Sequence, residues 1–400
     1  MTLAQIATLL NNTIIPNQFA DNSGTTIAED LRNVVDLGKA VSALTKAEFL
    51  DYAQKLAVGV VRTYFDGRQI GASTYGIEMD SLEYGGCIQR VKGKLLPAMP
   101  SYALNPTSYY DDNTAPSYID GHAYFPSFDT QLFDKDVAFK VVHSTSEQKF
   151  KKMFNDRQGV INWFAFVETT VANSFENQMN QLAKAVIRQM ILMCNNGSRR
   201  INLIPLYNSA MGFESTDPGY ITLPTWESSE AFKLFCQQVI IRIKKAMKEY
   251  NEKFNDGSVP TFTPADDIRV LLLSEFATSL DFANSAVFHT ELVNTGRYEE
   301  IEYLQDPSTS MIEFISTTSK FDKIKETEKD GESTKTTVVS YIVGLIFDKY
   351  ACGITTTMDD VGVEPVGAEL FVNFHHHFGR KYFVDDRNSA VLLCLAAEPT

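Results

Sequence analysis

The chain has 400 residues, 44% of them hydrophobic and 22% charged, and a formal net charge of −14. That length exceeds one core of ordinary size and predicts two or more subdomains, while the hydrophobic share excludes a disordered chain. The acidic balance argues against a protein that grips nucleic acid by neutralising its phosphates.

The start, Met1-Thr2-Leu3-Ala4-Gln5, lacks the basic segment that precedes the apolar stretch of a secretory signal. The longest near-apolar run, Val338–Phe347, falls short of the ~20 residues a spanning helix needs. Cysteines 87, 194, 236, 352 and 394 are odd in number and never in Cys-x-x-Cys spacing, so they read as buried free thiols in a reducing compartment.

Two capping boxes predict two N-terminal helices. Thr26-Ile27-Ala28-Glu29 precedes Leu31, Val34 and Val35, and Thr45-Lys46-Ala47-Glu48 precedes Phe49, Leu56 and Val60. Gly67 is the expected stop of the second. Residues 68–150 then change character: prolines 97, 100, 106, 116 and 126 predict extended, irregular chain. Yet five tyrosines and three phenylalanines lie between Tyr102 and Phe133, too many for a solvated loop. With no room for a core of its own, this arm is expected to pack on another subunit, with Tyr109, Tyr110, Tyr118 and Phe125 as the contact residues.

The strongest helical pattern runs from Arg157 to Cys194. Val160, Phe164, Val167, Val171, Phe175, Met179, Leu182, Val186, Met190 and Met193 recur every three or four positions, and Asn195-Asn196-Gly197 ends it. Such a rod would be roughly 55 Å long. A second helix is expected over Glu227–Phe254, capped by Thr225 and closed by Asn255-Asp256-Gly257. Strands are expected at Ile268–Leu273, around Ile301–Leu304, and at Val338–Phe347, Leu370–Phe378 and Ala390–Leu395, with Thr317–Thr337 as a charged, solvated loop. The class is α+β.

Chemistry is sought first in "FHHHFGRKYF" (374–383). In a strand, Phe374, His376 and Phe378 share one face while Asn373, His375 and His377 share the other. His375 and His377 could chelate a metal, but a zinc enzyme needs a third ligand and an open position, and no His-Glu-x-x-His accompanies them. Flat rings in a row of cross-strand contacts are the preferred reading. Gly71–Gly76 is one residue too long for a nucleophile elbow, and Gly93-Lys94 lacks the rest of a phosphate loop. The pairs Asp111-Asp112, Asp359-Asp360 and Asp385-Asp386 read as solvated turns. No catalytic, cofactor or metal residue is assigned, and the chain reads as a non-enzyme.

The order of parts resembles the major capsid proteins of tailed phages, the Hong Kong-97-type fold. The pieces "DDIRVLLLSEFATSLDFANSAVFHTEL" (266–292), "VGLIFDKYACGI" (343–354), "ELFVNFHHHFGRKYF" (369–383) and "SAVLLCLA" (389–396) look closest to capsid proteins of small short-tailed phages related to phi-29. The resemblance implies an N-terminal arm over 1–60, an extended loop over 61–155 and a peripheral domain with a spine helix over 156–225. It further implies an axial domain over 226–385 and a returning C-terminal strand over 386–400. It also implies a homo-oligomeric shell of hexamers and pentamers in the virion, enclosing double-stranded DNA without sequence-specific binding, with scaffolding and portal proteins as partners and no membrane. Synthesis would be in the bacterial host's cytoplasm. The alternative is an encapsulin-like cellular nanocompartment shell of the same fold, and a third is a metal enzyme built on His375 and His377.

Overall fold

A computed structural model of the chain describes residues 2–13, 31, 34–67, 74–82, 86–93, 128–195, 199–256, 260–287, 299–301, 322–330, 333–366 and 371–397. Helices α1 (Leu3–Thr13), α2 (Val34–Ala43) and α3 (Lys46–Gly67) come first. At the start of α3, Glu48 Oε2 reaches back to accept from the Thr45 N–H at 3.0 Å and the Thr45 hydroxyl at 2.8 Å, and Phe49, Leu56 and Val60 are buried. Helix α1, not anticipated, lies on α3 where Gly59 leaves room: a Cβ there would fall 2.5 Å from Leu9 Cδ1. Leu31 and Val34 are buried as expected and Val35 is exposed; the box at Thr26–Glu29 lies outside the described residues.

Strands β1 (Ile88–Gly93) and β2 (Phe128–Phe133) pair antiparallel as a separate two-stranded ribbon. Strand β3 (Lys135–Ser146) and helix α4 (Glu147–Met153) lead into α5 (Arg157–Cys194). The expectation of irregular chain over 68–150 is therefore corrected. The five prolines all lie within 97–126, outside the described residues, and the proline-free flanks alternate regularly and form ladders. Helix α5 matches its predicted limits, and its 38 residues span about 57 Å.

Next come β4 (Arg200–Asn202), α6 (Leu203–Met211), α7 (Glu230–Met247), β5 (Ile268–Leu273), α8 (Ser274–Val287) and β6 (Glu299–Ile301). The cap of α7 is Ser229, whose hydroxyl accepts from the Phe232 N–H at 3.3 Å. Thr225 instead takes the Thr222 N–H at 2.9 Å and closes the turn before it. The helix stops at Met247, short of Phe254, where Asn251 Nδ2 donates to the Ala246 carbonyl at 2.8 Å.

The last elements are β7 (Asp322–Asp330), β8 (Ser333–Asp348), β9 (Cys352–Val366), β10 (Phe371–Val384) and β11 (Ala390–Cys394). The predicted loop at 317–337 is corrected to a hairpin where it is described. Its register sets Glu328 opposite Lys335 and Thr327 opposite Thr336 in an antiparallel ladder. Asp359 and Asp360 lie in β9, not in a turn.

One sheet runs β4-β11-β8-β5-β6, with β7 also on β8, and a second runs β3-β10-β9. Strand β11 is buried along its whole length between parallel β4 and antiparallel β8, as a continuous apolar run requires. Pro365 is tolerated in β9 because β9 is an edge of its sheet. Helix α5 buries Val160, Phe164, Val167, Val171, Phe175, Met179, Val186 and Met190 in a core shared with both sheets.

Candidate functional site

The three consecutive histidines lie in the middle strand of the β3-β10-β9 sheet. Alternation holds: Phe374, His376 and Phe378 are buried, and His375 and His377 are half-buried on the opposite face. Register sets Phe374 opposite His143, and the two rings stack at 4.7 Å with 6° between their planes. His376 lies 5.2 Å from His143, its Nε2 3.2 Å from His143 Nδ1. Burial pulls both imidazoles down to about 4, with neighbouring histidines adding to the effect at His376. Further along, Phe378 meets Phe175 of α5 at 4.8 Å, and the buried Arg380 guanidinium lies 4.9 Å from the Phe175 ring while pairing with Asp359 at 2.7 Å. This face is the seam between sheet and long helix.

On the other face, the His375 and His377 rings are 6.3 Å apart, and His375 Nε2 lies 3.2 Å from Glu364 Oε2. Among the described residues no three His, Cys, Asp or Glu side chains are gathered as a metal cage. Of the cysteines, 194, 236, 352 and 394 are buried, but Cys87 is exposed, because it precedes the ribbon and lies outside the core. Burial raises Cys194 to about 12, so it is a thiol at neutral pH.

The ribbon β1–β2 is the unusual feature. Its charged residues face the protein, and three of its large apolar residues face solvent. Val91, Phe128 and Leu132 are 55%, 63% and 62% exposed, and share their face with Gln89, Gly93 and Thr130. The inward face carries Ile88, Arg90, Lys92, Asp129, Gln131 and Phe133. At the root Phe133 packs on Phe383 at 5.4 Å. Farther out, Arg90 pairs with Asp385 and, at 2.9 Å, with Asp129; Asp129 also takes Arg387 at 2.7 Å. Lys92 donates to the Asn388 side chain and, at 3.2 Å, to the Arg387 carbonyl. Burial lowers the Lys92 ammonium, with Asp385 partly opposing it.

Asp385, read from sequence as a solvated turn residue, is thus buried, because the turn between β10 and β11 lies beneath the ribbon. Tyr109, Tyr110, Tyr118 and Phe125 lie outside the described residues; their segment leaves the ribbon after Gly93 and rejoins it at Phe128. Val91, Leu132 and the ionic residues were missed by sequence reasoning. The alternations in "IQRVKG" and "FDTQLF" reveal two unlike faces, but not which face is turned outward.

The outer face of the ribbon carries no charge and exposes three large apolar side chains, Val91, Phe128 and Leu132. The family model for the Phi29-like phage major capsid protein matches residues 17–393. The chain belongs to that family. As a phage major capsid protein it is a shell-forming structural subunit of the virion. Among solved structures, the capsid of Staphylococcus phage Andhra is similar at 12% identity and a TM-score of 0.49, with 83% of this chain and 85% of that one covered. The capsid of Cyanophage P-SCSP1u is similar at 12% identity and a TM-score of 0.40, covering 81% and 87%. The mature capsid of bacteriophage PhiM1 is similar at 8% identity and 0.39, covering 83% and 88%. No curated protein sequence matches this capsid chain. No described helix is long and apolar enough to cross a membrane.

Proposed function

We propose that this capsid protein closes an icosahedral shell by laying the outer face of the β1–β2 ribbon, and the aromatic segment 94–127 it carries, on a neighbouring copy. The observation that supports this most is the ribbon's orientation, with Val91, Phe128 and Leu132 outward and its charges inward. Each such contact buries only a few side chains, but closed symmetry repeats it in every subunit. In this reading hexamers and pentamers form the shell, and residues 1–60 are the arm and 61–155 the extended loop. Residues 156–225 hold the spine helix, 226–385 form the axial domain, and 386–400 return a strand to it. The shell encloses double-stranded DNA without reading its sequence, consistent with a net charge of −14. Scaffolding and portal proteins are its partners during assembly in the host cytoplasm, and the subunit catalyses nothing.

The test is the triple substitution Val91→Ser, Phe128→Ser, Leu132→Ser. These side chains are exposed in the subunit, so circular dichroism and melting temperature are expected to stay as in the wild type, while closed shells vanish from electron micrographs. Normal shells from the triple variant would refute the contact.

A further inference from the structure

We infer that Arg90 is the positioning residue of the contact ribbon: its guanidinium ties the ribbon to the turn that delivers the last strand, and so fixes where the apolar outer face points. This rests on the reading of the ribbon as a subunit contact.

The ribbon has little apolar footing. Phe133 on Phe383 holds its root, but the pairs farther out, Arg90 opposite Gln131 and Lys92 opposite Asp129, put polar groups against the body. What holds them is a cluster spanning two elements. One Arg90 Nη meets Asp129 on the neighbouring ribbon strand, and the other meets Asp385 on the body, with side chains 10% and 1% exposed at the second pair. Asp385 is itself fixed, accepting from the Arg387 N–H at 2.9 Å and from Asn388 Nδ2 at 3.0 Å. Asn388 in turn donates to the Tyr350 carbonyl at 2.7 Å. The turn is therefore a rigid socket, and Arg90 is the plug.

A planar fork holds two nitrogens in fixed geometry, one to each carboxylate, whereas a lysine ammonium is a single point of charge on a flexible stem. Charge alone will not substitute for Arg90, whereas a merely solubilising cation would be replaceable by lysine.

The experiment is hydrogen–deuterium exchange on the full-length chain below its assembly concentration, with electron microscopy at assembly concentration, for Arg90→Lys and Arg90→Met. Amides of 88–93 and 128–133 are expected to exchange at least tenfold faster in both variants, those of α5 and β11 to be unchanged, and closed shells to be lost. Unchanged ribbon exchange in Arg90→Lys overturns the inference. So does equal acceleration in α5, which would make Arg90 a general stability residue, and so does normal shell closure despite a loosened ribbon. The Val91, Phe128 and Leu132 triple variant separates the two readings: if it assembles normally the contact reading fails, while the ribbon's exchange still reports on Arg90.

Discussion

His143 and His376 form a hydrogen-bonded, nearly parallel pair inside the seam between the three-stranded sheet and the long helix, 5.2 Å apart with 16° between their planes. One ring must donate and the other accept, so at least one member is neutral whenever the bond is intact. The pair has no room for two charged rings.

Acid stability follows from that. Both groups titrate at about 4 in the fold and near 6.5 in the unfolded chain. With the folded value below the unfolded one, the native state binds fewer protons. Stability is whole above about pH 6.5 and falls as pH drops toward 4. The double substitution His143→Phe, His376→Phe keeps flat rings in the stack without a site for protons. Melting temperature followed from pH 7 to pH 4 is expected to slope less in that variant; equal slopes would place the acid sensitivity elsewhere.

The neighbouring histidines lie in other surroundings. His375 and His377 are half-buried on the outer face, and the carboxylate that His375 meets, Glu364, is mostly exposed. Replacing both with Tyr is expected to shift stability by less than about 1 kcal/mol and to leave shells intact. Treating the wild type with a chelator is expected to leave its unfolding curve in place. A cooperative loss of structure on chelation would reinstate the metal reading.

The seam itself is open to a packing test. Phe175 is fully buried against Phe139, Phe378 and the Arg380 guanidinium. Phe175→Ala removes the ring and leaves a cavity beside a buried cation, at a cost of about 3–5 kcal/mol. An unfolding free energy from denaturant titration that falls by less than a third of that amount would mean that the helix and sheet repack around the gap.

The long helix was legible because thirty-eight residues of 3.6-residue periodicity admit one answer. The alternation through Phe374, His376 and Phe378 was equally plain, since one apolar face of a strand must be covered. What stayed hidden was burial on polar grounds. Asp385 sits in turn-like sequence, and nothing local announces that an arginine 295 positions earlier will cover it. The hairpin at 322–337 was hidden for a related reason: its charges suggest solvent, while cross-strand pairing, a non-local property, makes it a ladder. His143, too, gains its role only from the strand opposite it.

The aromatic segment gives the last prediction. Tyr109, Tyr110, Tyr118 and Phe125 belong to the stretch between the two strands of the ribbon, and the ribbon's own outer face is apolar. If the segment shares the task of covering a neighbour, each ring buried there contributes roughly 1.5–3 kcal/mol, less the cost of ordering the chain that carries it. Even a third of that sum, repeated at every subunit, decides whether a shell closes. Replacing all four with Ser is expected to give a chain that folds by circular dichroism, with the unfolding midpoint of the wild type, yet sediments as unassembled subunits. The body keeps its own core through α5 and the two sheets, so a variant that fails to fold would assign these rings to the subunit interior. A variant that still builds closed shells would leave the ribbon's Val91, Phe128 and Leu132 as the contact without them.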